Sequence, residues 1–263
     1  MAKRSSKVAR RGGHVPVGST ERESTAEQEP EPTPKAKSGK DSAIGWVKSI
    51  AIAFVLWIFL RALLVEAFHI TSGSMENTLL VGDVLFVNKA VYGARLPVIN
   101  TRLPAFSPPR RGQVVIFESV EEPGLTVVKR IVGVPGDTLA MRHNRLLLNG
   151  QPYDEPYVVL SGDETDPADP RMQAWQRRYL VGDPQGYTAT LKNWGPIVVP
   201  PDSFMVMGDN RDDSYDSRYW GFLGRDRVRG RAAVIYYSHD ARGILPLPWI
   251  TAIRWGRLFT LIR

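Results

Sequence analysis

The chain has 263 residues, of which 43% are hydrophobic, so it is long and apolar enough to fold around a core and is not wholly disordered. It contains no cysteine, which excludes disulfides, thiolate metal sites and cysteine nucleophiles. Its net charge of +7 is spread along the chain without an aromatic and basic binding motif, so a bilayer with anionic lipids is the expected partner and nucleic acid is not.

The first predicted elements are a disordered tail over residues 1–43 and an apolar helix over residues 44–65. Lys, Arg, Glu, Ser and Pro dominate the tail. The helix, at about 1.5 Å per residue, is long enough to cross a hydrocarbon core of about 30 Å. Lys48 and Arg61 lie near its ends on nearly opposite sides, where each can snorkel to the bilayer surface. We favour a transmembrane anchor over an interfacial amphipathic helix or a buried core helix.

The basic residues that precede the anchor predict its orientation. Lys35, Lys37 and Lys40 place the tail in the cytoplasm by the positive-inside rule. The sequence therefore predicts a single-pass protein of the cytoplasmic membrane, with residues 66–263 forming a domain on the extracytoplasmic face.

The predicted extracytoplasmic domain is mainly β. Short runs rich in Val, Ile, Leu and Phe are bounded by Gly, Pro, Asp and Asn, over residues 84–87, 113–117, 126–132, 145–148, 204–207 and 232–237. Residues 151–200 carry many Pro, Asp and Arg residues, which predicts a smaller, variable β insertion, with a set of long surface loops as the alternative.

The last segment, residues 248–263, has a helical pattern. Trp255, Leu258, Phe259 and Ile262 follow the spacing i, i+3, i+4, i+7. This predicts a helix that lies on an anionic membrane surface or, equally well, packs against the domain.

Two segments carry residues suited to hydrolysis. Ser72 and Ser74 follow the anchor and are two positions apart, so in an extended strand both hydroxyls share one face. Lys129 alternates with Val127 and Ile131, which predicts an apolar strand face that lowers the pKa of the amine. A lysine base needs such a pKa at neutral pH. A Ser/Gly turn and a partly buried, carboxylate-paired lysine are the alternatives.

A third polar segment, residues 207–221, predicts a tightly hydrogen-bonded loop. A calcium loop does not fit, because Arg211 stands where a ligand is needed. A Ser-His-Asp triad is not favoured either, since His69 projects away from Ser74 on a regular strand and neither His143 nor His239 has a flanking signature.

Together these segments resemble bacterial type I signal peptidase, the membrane-anchored serine endopeptidase that removes signal peptides. Five segments match the family's conserved boxes in the family's order, at residues 72–79, 82–89, 111–117, 128–137 and 208–221. The resemblance implies an antiparallel β fold like that of self-cleaving repressors, with a smaller variable β subdomain. It implies cleavage of exported preproteins after small-x-small (Ala-x-Ala) sites, without metal or cofactor.

The resemblance also implies roles for individual residues. Ser74 would be the nucleophile and Lys129, as a neutral amine, the general base. The Ser74 backbone N–H and the Ser72 hydroxyl would form the oxyanion hole. Ser214 would hold the lysine amine, and four charged residues would brace the site: Asp216, Arg218, Arg130 and Asp209. Shallow substrate pockets would be lined by Phe68, Ile70 and Val128.

The chain departs from the family pattern at two positions. Asn77 replaces the usual proline of the nucleophile box, and Gln113 replaces the usual aspartate, so that any salt bridge made there is lost. A Ser-Lys protease of the self-cleaving repressor type and an inactive tethered β module that binds exported chains are the alternative functions. The anchor argues against the first, and the paired Ser74 and Lys129 argue against the second.

Overall fold

The computed structural model describes residues 39–93, 101, 103–162, 165–241 and 247–263. Residues 1–38 of the predicted tail lie outside the described residues. The chain divides into two units, residues 1–49 and residues 50–263.

The secondary structure consists mainly of short strands. In chain order they are β1 Val65–His69, β2 Asp83–Asn88, β3 Val114–Glu118, β4 Thr126–Gly133, β5 Thr138–Arg142, β6 Arg145–Leu148, β7 Gln151–Pro152, β8 Trp194–Val198, β9 Ser203–Met207, β10 Leu223–Gly224, β11 Val228–Ser238 and β12 Thr260–Leu261. The helices are α1 Gly39–Leu64, α2 Pro170–Gln176, α3 Ser217–Trp220 and α4 Pro248–Thr251. Three 3-10 turns lie at Ala90–Tyr92, Arg225–Arg227 and Trp255–Arg257.

Helix α1 begins at Gly39, before the predicted start at residue 44, so the last residues of the predicted tail are helical. Its described apolar side chains are exposed, among them Trp46, Ile50 and Phe54. Within the part of the chain that the structure describes, no helix is both long and apolar enough to cross a membrane. The side chains of residues 60–65 lie outside the description, and the predicted span over residues 44–65 stays a prediction.

The larger sheet has eight strands in the order β1–β2–β11–β3–β4–β9–β10, with β12 paired to β11. All of its strand pairs are antiparallel. Strand β4 lies between β3 and β9, and from Val128 onward every residue in it is buried. Both faces of β4 are covered over these residues, and a strand buried on both faces has a nearly continuous apolar sequence, which is why the sequence predicts this strand so clearly.

The smaller sheet has four strands in the order β7–β6–β5–β8. The chain passes directly from β4 through the turn at Val134–Asp137 into β5, and it returns from β8 to β9. The smaller sheet therefore begins at Thr138, earlier than the predicted insertion at residues 151–200. That range contributes only β7 and β8 to the sheet, with α2 and extended segments between them. The predicted second β unit is present, but its boundary was wrong.

The predicted C-terminal helix over residues 248–263 is wrong. Only Pro248–Thr251 is α-helical, and the chain then makes a 3-10 turn and enters strand β12. Phe259 has φ 59°, which a helix does not tolerate, and the Ile262 N–H donates to the Ala233 carbonyl at 3.0 Å. Pairing with β11 and burial of Ile262 in the core override the helical spacing.

Candidate active site

The segment that follows β1 forms the first part of the site. Strand β1 ends at His69, and residues 72–79 are turns, so Ser72 and Ser74 do not lie in the extended strand that their spacing predicts. Met75 and Leu79 are fully buried, and the Leu79 N–H donates to the Met75 carbonyl at 2.7 Å. These contacts fix the turn on the core, and the Ser72 and Ser74 hydroxyl oxygens still lie 3.3 Å apart.

Strand β4 brings Lys129 to this turn. The predicted alternation is confirmed, since Ile131 is fully buried and Val127 half-buried on the same strand. The Lys129 Nζ lies 2.6 Å from the Ser74 Oγ, although the two residues are far apart in sequence. Lys129 is 3% exposed and Ser74 is 8% exposed. The two sequence candidates are therefore in direct contact and almost out of solvent.

The environment of Lys129 weakens its basicity. Burial, the largest effect, lowers the pKa of Lys129 from its ordinary value to about 8, while the negative charge of Asp216 acts in the opposite direction. Burial disfavours an ammonium ion because the protein interior solvates charge poorly. A substantial fraction of the amine is consequently neutral just above neutral pH.

The loop after β9 packs directly against the serine turn. The Asn210 backbone N–H donates to the Ser74 carbonyl at 3.2 Å, and the Asn210 side chain donates to the Gly73 carbonyl at 3.3 Å. A Cβ added at Gly208 would stand 2.4 Å from the Ser74 carbonyl oxygen. Glycine is therefore required at position 208 by close approach. Sequence reasoning assigned no role to Gly208 or Asn210, although both lie in the predicted polar loop.

Ser214, Asp216 and Arg218 form one buried cluster in this loop. The Arg218 guanidinium donates to both carboxylate oxygens of Asp216 at 2.9 Å. Burial favours the neutral acid, but the Arg218 charge and hydrogen bonds hold the pKa of Asp216 below its usual value. The Ser214 hydroxyl donates to Asp216 at 2.7 Å rather than to the lysine amine. The structure therefore places Ser214 beside the site with a different partner from the one expected.

Arg130 and Asp209 form a second buried ion pair, with distances of 2.8 and 2.7 Å between guanidinium nitrogens and carboxylate oxygens. Thr78 of the serine turn joins this pair, because its hydroxyl lies 2.5 Å from one Asp209 oxygen and accepts a bond from Arg130. Arg130 follows Lys129 directly in β4. The ion pair thus ties the lysine strand, the serine turn and the β9 loop together.

A cavity of about 260 Å³ opens beside the two hydroxyls and the amine. Phe68, Ile70 and Val128 line it, the three residues that the resemblance assigns to a substrate pocket. Leu125, just before β4, and Thr126, its first residue, line it too, and sequence reasoning missed both because they lie outside the polar motifs.

The two departures from the family pattern have local explanations. Asn77 has φ 82°, a left-handed conformation that asparagine tolerates and that proline cannot adopt. The Gln113 side-chain carbonyl accepts bonds from the Tyr92 hydroxyl at 2.6 Å and the Arg110 N–H at 2.9 Å. The carboxylate bound by the neighbouring Arg111 is supplied by Asp137.

A serine hydroxyl in contact with a buried lysine amine, on an antiparallel β scaffold, is an arrangement suited to a serine peptidase. Comparison with known proteins agrees. A sequence model described as signal peptidase, peptidase S26, matches residues 43–237. The chain therefore belongs to the signal peptidase family, peptidase S26.

Two individual signal peptidases align with most of the chain. A signal peptidase I from Leptolyngbya laminosa is 34% identical over 88% of this chain and 98% of its own length. One from Pseudomonas aeruginosa is 35% identical over 80% of this chain and 78% of its own length. A crystal structure of a signal peptidase I from Enterococcus faecalis V583, 27% identical, aligns with 48% of this chain and 97% of its own at a TM-score of 0.32.

Proposed function

We propose that this chain is a membrane-attached serine endopeptidase that removes N-terminal signal peptides from exported proteins after small-x-small sites. The observation that carries the proposal is the 2.6 Å contact between the Ser74 Oγ and the Nζ of Lys129, whose pKa burial lowers to about 8. The family membership supports the reaction class, and the residues of the site supply the mechanism.

In the first step, neutral Lys129 accepts the hydroxyl proton of Ser74 while the Ser74 oxygen attacks the carbonyl carbon of the scissile peptide bond. The resulting tetrahedral intermediate carries a negative oxygen. Lys129, now an ammonium, gives its proton to the departing amine as the carbon–nitrogen bond breaks. The mature protein leaves and the signal peptide stays attached to Ser74 as an ester. In the second step, Lys129 takes a proton from water as the water oxygen attacks the ester carbon. The bond between that carbon and the Ser74 oxygen then breaks, Lys129 returns the proton to Ser74, and the signal peptide leaves with a free carboxyl end.

The oxyanion formed in both steps needs hydrogen-bond donors that are already in place. The backbone N–H of Ser74 and the hydroxyl of Ser72 serve this role in the proposal. The 3.3 Å distance between the Ser72 and Ser74 hydroxyl oxygens supports it, because a donor that close to the nucleophile is also close to the carbonyl under attack.

The buried charged residues hold this arrangement without reacting. Asp216 and Arg218 fix the loop that carries Ser214, and Arg130 with Asp209 fixes the strand of Lys129. In the proposal, Ser214 keeps the lysine amine oriented through this loop, since its own hydroxyl is bound to Asp216.

The preference for small side chains follows from the cavity and the strand edge beside it. In the described part of the chain, β9 pairs with β4 only from Arg130 onward, which leaves the edge at residues 126–128 open to an added peptide strand. Side chains of that strand would point into the shallow cavity lined by Phe68, Ile70 and Val128, where larger residues would clash.

Attachment to the cytoplasmic membrane belongs to the same proposal, with the tail inside and the catalytic domain outside. The support is helix α1, whose described apolar side chains are largely exposed, including Val47 at 67% and Ile52 at 68%. Apolar side chains exposed on all sides of a helix are typical of one surrounded by lipid.

The test is cleavage of a preprotein with an Ala-x-Ala site by the detergent-solubilised full chain. Wild type should cleave at that site, and Ser74→Ala and Lys129→Met should not, while all three keep the same circular dichroism spectrum. Lys192→Met, which removes a lysine from the smaller-sheet region, is the matched control and should cleave like wild type. A folded but inactive wild type would refute the proposal and favour a tethered binding module.

A further inference from the structure

We propose that Tyr157 is a positioning residue that holds the serine turn and the lysine strand in register for catalysis. The inference rests on the proposed Ser74–Lys129 mechanism. Tyr157 lies in a turn after β7, closed by the hydrogen bond from the Val158 N–H to the Glu155 carbonyl, and this turn is outside every sequence motif of the site. It contacts Arg130, which is next to Lys129, and Asn77, which is in the turn that carries Ser74.

The first contact is with Arg130, next to the lysine. The Arg130 guanidinium uses all of its N–H groups in the plane, donating to Asp209, Thr78, the Gly112 carbonyl and the Arg263 carbonyl. Its flat face is free of such bonds, and the Tyr157 ring covers it at 3.9 Å from the guanidinium carbon to the ring centre. An aromatic face at this distance attracts the cation and shields it from water.

The second contact is with the serine turn. The Asn77 side chain donates to the Tyr157 backbone carbonyl at 3.2 Å. Asn77 is the residue with φ 82° in the turn that carries Ser74, so its conformation sets the path of that turn. Tyr157 thus touches the lysine strand through its ring and the serine turn through its backbone.

The third set of contacts fixes Tyr157 itself. Its hydroxyl donates to Glu155 at 3.0 Å, and Glu155 accepts two bonds from the buried Arg211 at 2.6 and 3.0 Å. Val159 pairs with the same loop, because its N–H donates to the Asp209 carbonyl at 2.8 Å and its carbonyl accepts from the Arg211 N–H at 3.1 Å. The contacts close a ring through Asp209, Arg130, Tyr157, Glu155 and Arg211.

This closed set of contacts should affect the rate of the reaction rather than the binding of substrate. Tyr157 contacts Arg130 and Asn77 and does not line the cavity, so in the proposal it sets the distance between the two reacting atoms without touching the substrate. Loss of the Tyr157 aromatic ring would let β4 and the serine turn shift. The 2.6 Å contact between the Ser74 Oγ and the Lys129 Nζ would then lengthen, and water would reach the amine. Misplacement of reacting groups by about 1 Å costs roughly 100-fold in rate.

The decisive comparison is Tyr157→Leu against Tyr153→Leu in the full chain, with the Ala-x-Ala preprotein as substrate. Tyr153 is a matched control because its ring also faces an arginine, Arg111 at 5.7 Å, and that arginine is bound to Asp137 rather than to Asp209. Tyr157→Leu should lower kcat by roughly 10- to 100-fold with KM changed by less than about twofold. The pH below which cleavage by Tyr157→Leu declines should be higher than for wild type, because the amine regains contact with water and its pKa rises. Tyr153→Leu should keep the wild-type kcat and the wild-type pH profile.

Two further variants keep the proposal testable if Tyr157→Leu does not fold. Tyr157→Phe keeps the ring over Arg130 and should retain kcat within about threefold. Asn77→Gly keeps the left-handed backbone but removes the tie to Tyr157, and it should lower kcat while the thermal unfolding temperature stays that of wild type. Equal kcat values for Tyr157→Leu and Tyr153→Leu, or an Asn77→Gly variant with wild-type kcat, would overturn the positioning role. An inactive wild type would instead mean that the Ser74–Lys129 mechanism itself is wrong.

Discussion

Gly208 stands against the backbone of Ser74 so closely that a Cβ on Gly208 would lie 2.4 Å from the Ser74 carbonyl oxygen and 2.3 Å from the Ser214 hydroxyl. The backbone of Ser74, the proposed nucleophile, is therefore held in place by the main chain of another loop. The position of the Ser74 hydroxyl depends on that approach as much as on its contact with Lys129.

Gly208→Ala should consequently impair catalysis severely. Because the obstructing atom is backbone, the serine turn has to move, and we expect kcat to fall by roughly 100-fold together with a lower thermal unfolding temperature. Gly256→Ala is the matched control, since a Cβ there meets no atom within 4 Å and its φ is not positive. Parallel kinetics and calorimetry on the two variants measure the difference. Equal activity of both would show that the approach of Gly208 is irrelevant.

The pH dependence of cleavage should report the lysine amine. The pKa of Lys129 is lowered to about 8, and only the neutral form, which exists above that pKa, accepts the serine proton. The rate constant kcat/KM should therefore fall about tenfold for each pH unit below 8. A profile measured from pH 5 to 10 in detergent checks this. A flat profile down to pH 5 would exclude Lys129 as the base.

The same shift predicts that the lysine destabilises the fold. Between pH 8 and the ordinary lysine value, the unfolded chain carries a proton that the folded chain has lost, so stability rises with pH in that window. Below pH 8 both states are protonated and the folded state bears a constant cost of about 3 kcal/mol. Lys129→Met should thus unfold at a higher temperature than wild type at pH 7, with a smaller difference at pH 10. A less stable Lys129→Met variant at pH 7 would contradict this.

Ser72→Ala should remove a donor to the oxyanion while the nucleophile Ser74 stays in place. Ser72 is exposed, so the loss of its hydroxyl leaves the fold intact, while the developing oxyanion loses one donor. Removal of an oxyanion donor costs about 3 kcal/mol, or roughly 100-fold in kcat. Single-turnover cleavage by Ser72→Ala and by wild type provides the measurement. An unchanged kcat would show that the Ser72 hydroxyl does not stabilise the oxyanion and that another donor does.

Much of the site could be predicted from sequence because its chemistry lies in local patterns. The Ser72-Gly73-Ser74 run and the apolar neighbours of Lys129 are each visible within a few residues, and strand alternation predicts the burial that lowers the lysine pKa. What brings the two segments together is β9, which pairs with β4, and the loop after it, whose Asn210 bonds to the serine turn. These are contacts between distant parts of the chain. Propensity and periodicity do not encode such contacts directly.

The errors have the same origin. The periodic apolar residues near the C-terminus predict a helix, but Ile262 has an alternative partner in the core and β12 pairs with β11, so tertiary contacts override the local pattern. Tyr157 and Trp175 belong to segments with no motif of their own. Trp175 donates to the Arg218 carbonyl at 2.9 Å, a contact that no spacing in the sequence announces.

The specificity of the cavity should respond to Leu125, which lines it and is 48% exposed. Leu125→Ala enlarges the cavity without leaving a hole in the core, because a half-exposed side chain contributes little packing. We expect kcat/KM for a preprotein with Val in place of Ala before the cut to rise about tenfold relative to the Ala substrate. Leu103→Ala, which shortens another exposed leucine away from the cavity, should leave that ratio at the wild-type value. An unchanged ratio in Leu125→Ala would place the selective wall elsewhere, on Ile70 or Val128.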